Sequence, residues 1–312
     1  MRLVVVMDPV STVRVDEDTS FALMLEAEAR GHRVDHCLIS DLYLENGEAC
    51  ARVRKASMAR DPKEPIVLGA VEVVALKNVD AVFVRTDPPF NEMYLWATQI
   101  LEKLRGHTLV INDPRALRDA NEKLYACHFP ELMPETLVSN QKAQIRAFVD
   151  KLGGKAVIKP LSGAGGAGVM ALTTGDMNFN AIIEATTENE KRFAMTQKFL
   201  PEVKTGDKRI LLLEGEPLGA ILRVPRADDV RSNIHVGGTV QKATLNADDL
   251  RIVSTVAPRL KQDGLYFVGL DVIGGRLTEV NVTSPTGIQQ MSRLDGVNLS
   301  ARVIEWIEKR VS

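Results

Sequence analysis

Cysteine is scarce in this chain. Cys37, Cys50 and Cys127 are the only three, an odd and scattered set without metal-ligand spacing. They support neither a disulfide framework nor a zinc site and read as reduced thiols of a cytoplasmic protein. An excess of either charge is missing too: 39 Lys and Arg against 41 Asp and Glu leave a net charge of −2, with no basic run and no aromatic-basic interleaving. Bulk nucleic-acid binding, which rests on neutralising many phosphates, is therefore not expected. Long apolar runs are absent as well. Arg2 precedes Leu3-Val4-Val5-Val6-Met7, but Asp8-Pro9 ends that run far too early for an export signal or a membrane span, so it reads as a buried first strand. Nor is there a convincing Ser-His-Asp or Cys-His set to act as a protein nucleophile.

What remains is ordinary globular material, 312 residues with 45% hydrophobic and 26% charged, enough for two or three domains with ample core. After the first strand, Asp18-Thr19-Ser20 supplies an N-cap, and Phe21, Met24 and Leu25 mark a helix that Gly31 stops. Val34 to Ile39 reads as the next strand, and this β-α-β order implies a parallel sheet. The charged stretch 45–65 lacks clear periodicity and is expected to cover an edge. Strands follow at Val79 to Val84 and Leu109 to Asn112. Asp8-Pro9, Asp87-Pro88 and Asp113-Pro114 each close a strand, because Pro cannot continue the ladder and Asp favours the turn. Ligands of open α/β sheets gather at the carboxyl ends of strands. Arg85 is thus a candidate anion clamp, with an ion pair to Asp87 as the other reading.

The second half opens with Asn121-Glu122-Lys123, read as the start of a helix running through Phe129. Ala156-Val157-Ile158-Lys159-Pro160 then feeds Ser162-Gly163-Ala164-Gly165-Gly166-Ala167-Gly168, where four glycines permit close approach of backbone N–H groups to an anion. This is neither known nucleotide fingerprint, because no Gly-Lys-Ser/Thr closes it and Val169-Met170-Ala171-Leu172 continues as a strand, not a helix. It reads as a hairpin tip able to close over phosphates with Lys159 beneath, or else as a merely mobile loop. Another strand covers Phe193 to Leu200, and a hairpin turns at Glu214-Gly215-Glu216. Arg209 and Arg223 sit in the otherwise apolar strands of that hairpin. Burying a cation there demands an anionic partner, either phosphates or Glu279. The polar stretch 225–238, with Arg226, Arg231, Asn233 and the Gly237-Gly238 pair, reads as an active-site lid or an exposed loop. Amphipathic helices are expected at 250–260 and 299–311.

The centre of the chain's chemistry is Tyr266 to Ile273, Gly274-Gly275, then Arg276 to Thr286. Two β-branched runs around a Gly-Gly turn make a hairpin. Glu279 and Asn281 leave one face of the second strand, with Asp271 on its neighbour. Two carboxylates about 4 Å apart would repel by roughly 4 kcal/mol at an effective dielectric of about 20, so a cation between them is required. Oxygen donors without His or Cys suit Mg²⁺. A register condition applies. With a strict two-residue turn Asp271 pairs with Thr278 and faces away from Glu279, so the metal reading needs a longer turn or a bulge. A salt-bridged surface hairpin is the plainer reading.

Lys123, Lys159-Pro160, the glycine loop, Gln197-Lys198-Phe199-Leu200, Asp207-Lys208-Arg209, and Asp271 with Glu279-Val280-Asn281 together resemble the ATP-grasp ligases, and among these the bacterial glutathione synthetases. Met7-Asp8-Pro9, Asp87-Pro88-Pro89-Phe90, Leu117 to Lys123, Phe267 to Asp271 and Asn281 to Thr286 extend the likeness over nearly the whole chain. The resemblance implies an α/β and α+β architecture: an N-terminal parallel-sheet α/β domain at 1–120, an ATP-grasp subdomain with the glycine loop at 121–200, and a second subdomain with lid and metal site at 201–312. It implies that ATP, γ-glutamylcysteine and glycine become glutathione, ADP and phosphate. ATP would contact Lys123, Lys159, Gly163, Gly165, Gly166, Gly168, Asp207 and the strand Gln197, Lys198, Phe199, Leu200, whose backbone holds adenine. Asp271, Glu279 and Asn281 would bind Mg²⁺, with Mn²⁺ as a substitute. Substrate contacts fall to Arg85, Arg231, Asn233, Gly237, Gly238 and the Ser284-Pro285-Thr286 turn. A homotetramer is implied, with no nucleic-acid or membrane partner. Thr239 and Gly287 depart from the pattern, standing where larger side chains occur in relatives.

The chemistry agrees with that implication. A carboxylate is a poor acyl donor because oxide would have to leave, and ATP converts it to an acyl phosphate with a far better leaving group. Catalysis then rests on positioning and charge stabilisation, with Arg209 facing the developing charge and Arg223 holding the intermediate as glycine attacks. Water must be kept out, since acyl phosphates hydrolyse. Two other readings are a ligase for another dipeptide or amino acid on the same fold, and an ATP-binding module without turnover.

Overall fold

In the computed structural model, which describes residues 1–225 and 239–312, the first sheet is built on β1 (Arg2–Val6), whose leucine and valines are buried. It pairs in parallel with β2 (Arg33–Cys37) on one side and β6 (Ala81–Val84) on the other, and β6 pairs in parallel with β7 (Leu109–Ile111). This is the parallel core that the β-α-β order implies. The crossover helix α1 (Thr19–Ala29) starts where the Asp18 carboxylate accepts the Phe21 N–H at 2.7 Å, and Gly31 follows it at φ 82°.

The stretch 45–65 does cover an edge, but as regular structure: its strand β4 (Glu48–Met58) pairs antiparallel with β2. With β3 (Leu42–Glu45), joined to it at Asn46-Gly47 with φ 51° and 84°, and β5 (Ile66–Ala75) it makes an antiparallel wing. An Asn-Gly pair is the favoured two-residue hairpin turn. Its strand was hidden because a bulge between Arg54 and Ala56 breaks the alternation, leaving Arg54 and Lys55 both outside. β5 is an edge strand paired only with β4. Helices α2 (Glu92–Leu101) and α3 (Pro114–Asp119) complete this part, α3 with Asp113 as its cap and Pro114 in its first turn.

The helix expected at 121–129 is only a 3₁₀ turn at Tyr125–His128. The Asn121 side chain accepts the N–H groups of Lys123 and Leu124 at 3.1 Å each, making a local turn, and Pro130 disfavours helical geometry at Phe129.

A second sheet, ordered β10-β9-β11-β8, is antiparallel throughout: β8 (Thr136–Ser139), β9 (Lys155–Pro160), β10 (Met170–Thr173) and β11 (Ala194–Lys198). Helices α4 (Lys142–Lys151) and α5 (Phe179–Thr186) cover it through Ile145, Val149, Phe179 and Ile183. A third sheet contains β12 (Asp207–Leu213), β13 (Glu216–Val224), β14 (Thr239–Lys242), β15 (Phe267–Ile273) and β16 (Arg276–Asn281), ordered β14-β13-β12-β15-β16. Helix α6 (Ala247–Asp263) packs on it, α7 (Ile288–Asp295) follows, and α8 (Leu299–Val311) returns to α1.

One apolar cluster runs from Val4 and Val82 of the first sheet to Ile210, Val268 and Val280 of the third, so these two sheets share a core. Asn112 ties them further. Its amide donates to the carbonyls of Phe267 and Val282 at 2.9 and 2.7 Å and accepts the N–H groups of Tyr266 and Phe267 at 2.7 Å each. Among the described residues no helix is long and apolar enough to cross a membrane.

Candidate active site

The last hairpin meets its register condition through a bulge. Ile273 pairs with Arg276 around the two glycines and Val272 with Leu277, but Asp271 then pairs with Glu279, the register shifting between Asp271 and Val272. Directly paired residues share a face, so Asp271 and Glu279 project together. Asn281, two residues beyond Glu279, follows them.

Arg209 stands opposite Asp271 on β12, and Arg223 opposite Asp207 on β13. Arg209 donates Nε to Asp271 Oδ1 at 2.5 Å and Nη2 to Oδ2 at 3.0 Å, a bidentate pair. Arg223 Nη2 lies 2.6 Å from Asp207 Oδ2 and 3.0 Å from Asp271 Oδ1. Among the described residues, the ion pairs of the two arginines are thus with Asp271 and Asp207 and not with Glu279, one of the two partners the sequence offered beside phosphates, because cross-strand register sets nearest neighbours. Glu279 pairs instead with Lys123, Nζ to Oε1 at 3.0 Å. Burial by itself would raise the Asp271 carboxyl, but Arg209 and Arg223 hold it well below the usual carboxylate range. Arg223 Nε is buried without a hydrogen-bond partner among the described residues.

The glycine loop is a hairpin tip as expected, with Met170 of β10 opposite Ile158 of β9. A Cβ on Gly163 would lie 2.7 Å from the Ala167 carbonyl oxygen and 2.9 Å from Pro160 Cγ. Gly168, at φ 72°, is as tightly held against Pro160. Lys123 Nζ also donates to the Gly163 carbonyl at 2.5 Å, drawing the loop toward Glu279. Lys159 Nζ donates to Gln197 Oε1 at 2.7 Å. Burial lowers the Lys159 pKa, with Glu279 acting the other way.

Three cavities adjoin. The first is lined by Lys123, Lys159, Gly163, Gly165, Gly166, Gln197, Lys198, Phe199, Leu200, Asp207, Asp271 and Glu279. Gly168 does not line it. The second is lined by Arg209, Arg223, Glu279, Asn281, Ser284 and Thr286, with Asp87 and Glu122. The third lies at the strand ends of the first sheet and includes Arg85, Ser284 and Thr286. Pro285 contributes its carbonyl, which accepts Arg85 Nη2 at 3.0 Å, while Arg85 Nε donates to Ser20 Oγ at 3.1 Å. The ion pair of Arg85 with Asp87 is not formed among the described residues. Arg231, Asn233, Gly237 and Gly238, with the rest of the expected lid through 238, lie outside the described residues.

Asn112 and Glu122 were missed as structural anchors of the site. Glu122 Oε1 accepts the N–H groups of Val282 and Thr283 at 3.0 and 3.1 Å and the Thr283 hydroxyl at 2.7 Å, fixing the chain beyond Asn281. The only signal for Glu122 was its place beside Lys123; for Asn112, a polar residue ending an apolar strand.

The residues that would hold a metal, Asp271, Glu279 and Asn281, offer two carboxylates and an amide on one face, a set of hard oxygens that suits Mg²⁺ held by one or two carboxylates plus substrate phosphates. Among the described residues, no group of three or more Asp, Glu, His or Cys could by itself hold a metal ion. Lys123, Lys159, Arg209 and Arg223 bring four cationic side chains to these cavities, the kind of charge that phosphate groups pair with.

Comparison with known proteins places these features in a family. Residues 1–118 match the model described as prokaryotic glutathione synthetase, N-terminal domain, and residues 122–296 the one described as prokaryotic glutathione synthetase, ATP-grasp domain. The chain is 48% identical to a glutathione synthetase of Gloeobacter violaceus over 98% of this chain and 96% of that one. It is 41% identical to one of Salmonella typhimurium over 100% and 99%. Among solved structures, the D-cycloserine synthetase DcsG is similar at TM-score 0.67 and 15% identity, covering 99% of this chain and 100% of that one. The ATP-grasp ligase PsnB complexed with minimal precursor, Mg and ADP is similar at TM-score 0.65 and 15% identity, covering 99% and 97%. At such identity these two structures share the fold.

Proposed function

The chain belongs to the prokaryotic glutathione synthetase family, and on that premise we propose how its own residues divide the work of an ATP-dependent ligase that joins γ-glutamylcysteine to glycine. The observation that carries the assignment is the bulged pairing of Asp271 with Glu279 at the junction of the first two cavities.

In this reading the first cavity takes ATP. Gln197 to Leu200 hold adenine, Lys123 and Lys159 meet the phosphates, and Gly163 to Gly168 close over them through backbone N–H groups. Asp207 orients Arg223. Asp271, Glu279 and Asn281 would hold Mg²⁺, which neutralises phosphate charge when bound; a Mg and ADP complex of the structurally similar PsnB supports this choice. The second cavity takes the cysteinyl carboxylate of γ-glutamylcysteine. Arg209 and Arg223 face it and stabilise charge as the acyl phosphate forms and as the glycine amine attacks. Arg85 and the Ser284-Pro285-Thr286 turn belong to the donor side, and the 225–238 stretch keeps its role as a lid that excludes water.

The same reading divides the chain near 120 and 200, a division that the three sheets support. A homotetramer working in the cytoplasm completes the reading, and the uncovered β5 edge with outward Val67, Val71 and Val73 supports assembly. The test is phosphate release from ATP with γ-glutamylcysteine, with and without glycine. Release that requires both substrates is expected; release with neither overturns the assignment.

A further inference from the structure

Among the described residues the Lys159 ammonium makes one hydrogen bond, Nζ to Gln197 Oε1 at 2.7 Å, and no ion pair. What fixes that bond lies behind Gln197. Its Nε2 donates to Thr136 Oγ1 at 3.1 Å, and Thr136 Oγ1 donates to the Pro134 carbonyl at 2.8 Å. Three strands of the second sheet carry this chain of bonds. Gln197 of β11 pairs directly with Thr136 of β8 on one side and with Val157 of β9 on the other, two residues before Lys159. Directly paired residues share a face, as do residues two apart, so Thr136, Gln197 and Lys159 stand in a row across the sheet. Gln197 and Lys159 line the first cavity; Thr136 does not.

The direction of every bond in the row is forced. An ammonium has only donors, so the end of the Gln197 amide that meets Lys159 must be its oxygen. The amide nitrogen then faces Thr136, whose hydroxyl has to accept and must send its own proton elsewhere; the Pro134 carbonyl takes it. From the other end, the carbonyl decides the hydroxyl, the hydroxyl decides the amide, and the amide offers the lysine an acceptor. Gln197 is 2% exposed. A turned amide would set an N–H group against the ammonium and leave buried polar atoms unpaired, which is costly. The Pro134 end is itself anchored, since the Lys198 N–H donates to the Glu135 carbonyl at 2.9 Å and Lys198 Nζ lies 3.0 Å from Glu135 Oε1.

We propose that Thr136 is a positioning residue for Lys159: its hydroxyl sets which end of the Gln197 amide faces the lysine, and so holds the ammonium where a nucleotide phosphate meets it. The inference rests on the ligase reading above, in which Lys159 meets the phosphates of ATP, and extends that reading to a side chain outside the cavity. A threonine in a strand needs no functional reason, since β-branched residues fit strands in general. Thr136 stands apart because the row uses its hydroxyl and not its shape. Valine at this position keeps the branched shape and removes the hydroxyl. The Gln197 amide then has no acceptor for its N–H group and loses the preference between its two ends, and Lys159 is free to swing off the phosphates. Binding strength depends on such preset geometry, because a side chain ordered in advance does not have to be ordered by the ligand.

The test is a set of ATP titrations on the full chain, with initial rates alongside. Thr136→Val is expected to raise the Kd and KM for ATP about tenfold, with the KM values for γ-glutamylcysteine and glycine within about twofold of wild type. Thr136→Ser restores the hydroxyl and should bring the ATP Kd back to within about twofold of wild type. Adenosine lacks phosphate, so its inhibition constant against ATP should be the same in Thr136→Val and wild type. Gln197→Glu supplies the control for polarity. A carboxylate has two acceptor ends and no wrong one, so adding Thr136→Val to Gln197→Glu should cost less than about threefold in ATP affinity. Thermal melting reports folding, and Thr136→Ala removes the same hydroxyl and carries the same measurement if Thr136→Val fails to fold. An unchanged ATP Kd, a full loss that persists in the Gln197→Glu background, or adenosine weakened as much as ATP each overturns the positioning role alone. Wild-type protein that binds no ATP overturns the ligase reading instead.

Discussion

Lys123 reaches Glu279 across 156 positions of chain, Nζ lying 3.0 Å from Oε1, while the same ammonium donates to the Gly163 carbonyl. One cation thus links the turn after the first domain, the glycine loop and the last hairpin. In the proposed reading, a nucleotide entering beneath the loop meets a lysine already held between backbone and carboxylate, and Glu279 is the group whose partner changes.

Glu279→Gln keeps the shape and removes the charge. Turnover is expected to fall about 10²- to 10³-fold, and the Mg²⁺ concentration needed for half-maximal rate to rise, with the melting temperature within a few degrees of wild type. Initial rates across a Mg²⁺ series decide it, and a variant with near-normal kcat refutes the metal role of Glu279.

At the loop, Gly163→Ala places a Cβ 2.7 Å from the Ala167 carbonyl oxygen, closer than packed atoms allow. The loop must shift away from Lys123. ATP affinity, read by calorimetric titration, is expected to drop about tenfold or more while thermal stability holds; unchanged affinity would show that the loop does not touch the phosphates.

Asn112 makes four hydrogen bonds to the backbone of the third sheet from a site 2% exposed. Its replacement by Ala strands buried donors and acceptors, and a loss of roughly 3–5 kcal/mol in unfolding free energy is expected from urea titration. A loss below about 1 kcal/mol would mean that the shared apolar core alone holds the sheets together.

Acid sensitivity has an identifiable contributor in Glu308, whose carboxyl is lowered to about 2 by hydrogen bonds from Arg30 and His32. A folded pKa below the unfolded value means that the contribution is present at neutral pH and is lost as pH falls from the ordinary Glu value of about 4.5 toward 2. Urea midpoints of wild type and Glu308→Gln should therefore differ most near neutrality and converge near pH 2. A gap that widens on acidification contradicts the sign.

On β5, Val73 is 67% exposed beside Val71 at 42%. Val73→Lys puts a charge on an edge strand that supports assembly in the proposed reading. Light scattering should show a smaller particle than wild type, with ATP affinity preserved. If wild type is itself a monomer, the assembly proposal falls.

Much of this was legible from residue order. The strand, turn and cap signals around β1, α1, α3, β15 and α8 are local, so a hydrophobic period or an Asp-Pro pair carries them. The residues of the candidate site were legible as a group for the same reason, since Lys159, the glycines and Asp271 with Glu279 sit in short stretches of defined type and, Gly168 apart, line one cavity. The wing at β4 escaped because its bulge breaks the alternation that marks a strand, although Asn46-Gly47 was there to be read. The 121–129 helix failed because a side-chain turn at Asn121 competes with a helical start.

Which residues share the last hairpin was set by the sequence, which places Asp271, Glu279 and Asn281 within eleven positions and offers glycines for the turn. Whether they face one another was decided by a one-residue slip in strand register, which no local pattern encodes. The ion pairs of Arg209, Arg223 and Lys123, the anchoring by Asn112 and Glu122, and the hydrogen bond of Arg85 to the Pro285 carbonyl likewise belong to the tertiary structure. Each depends on which strands become neighbours, and that is settled by burying apolar faces far apart in the chain.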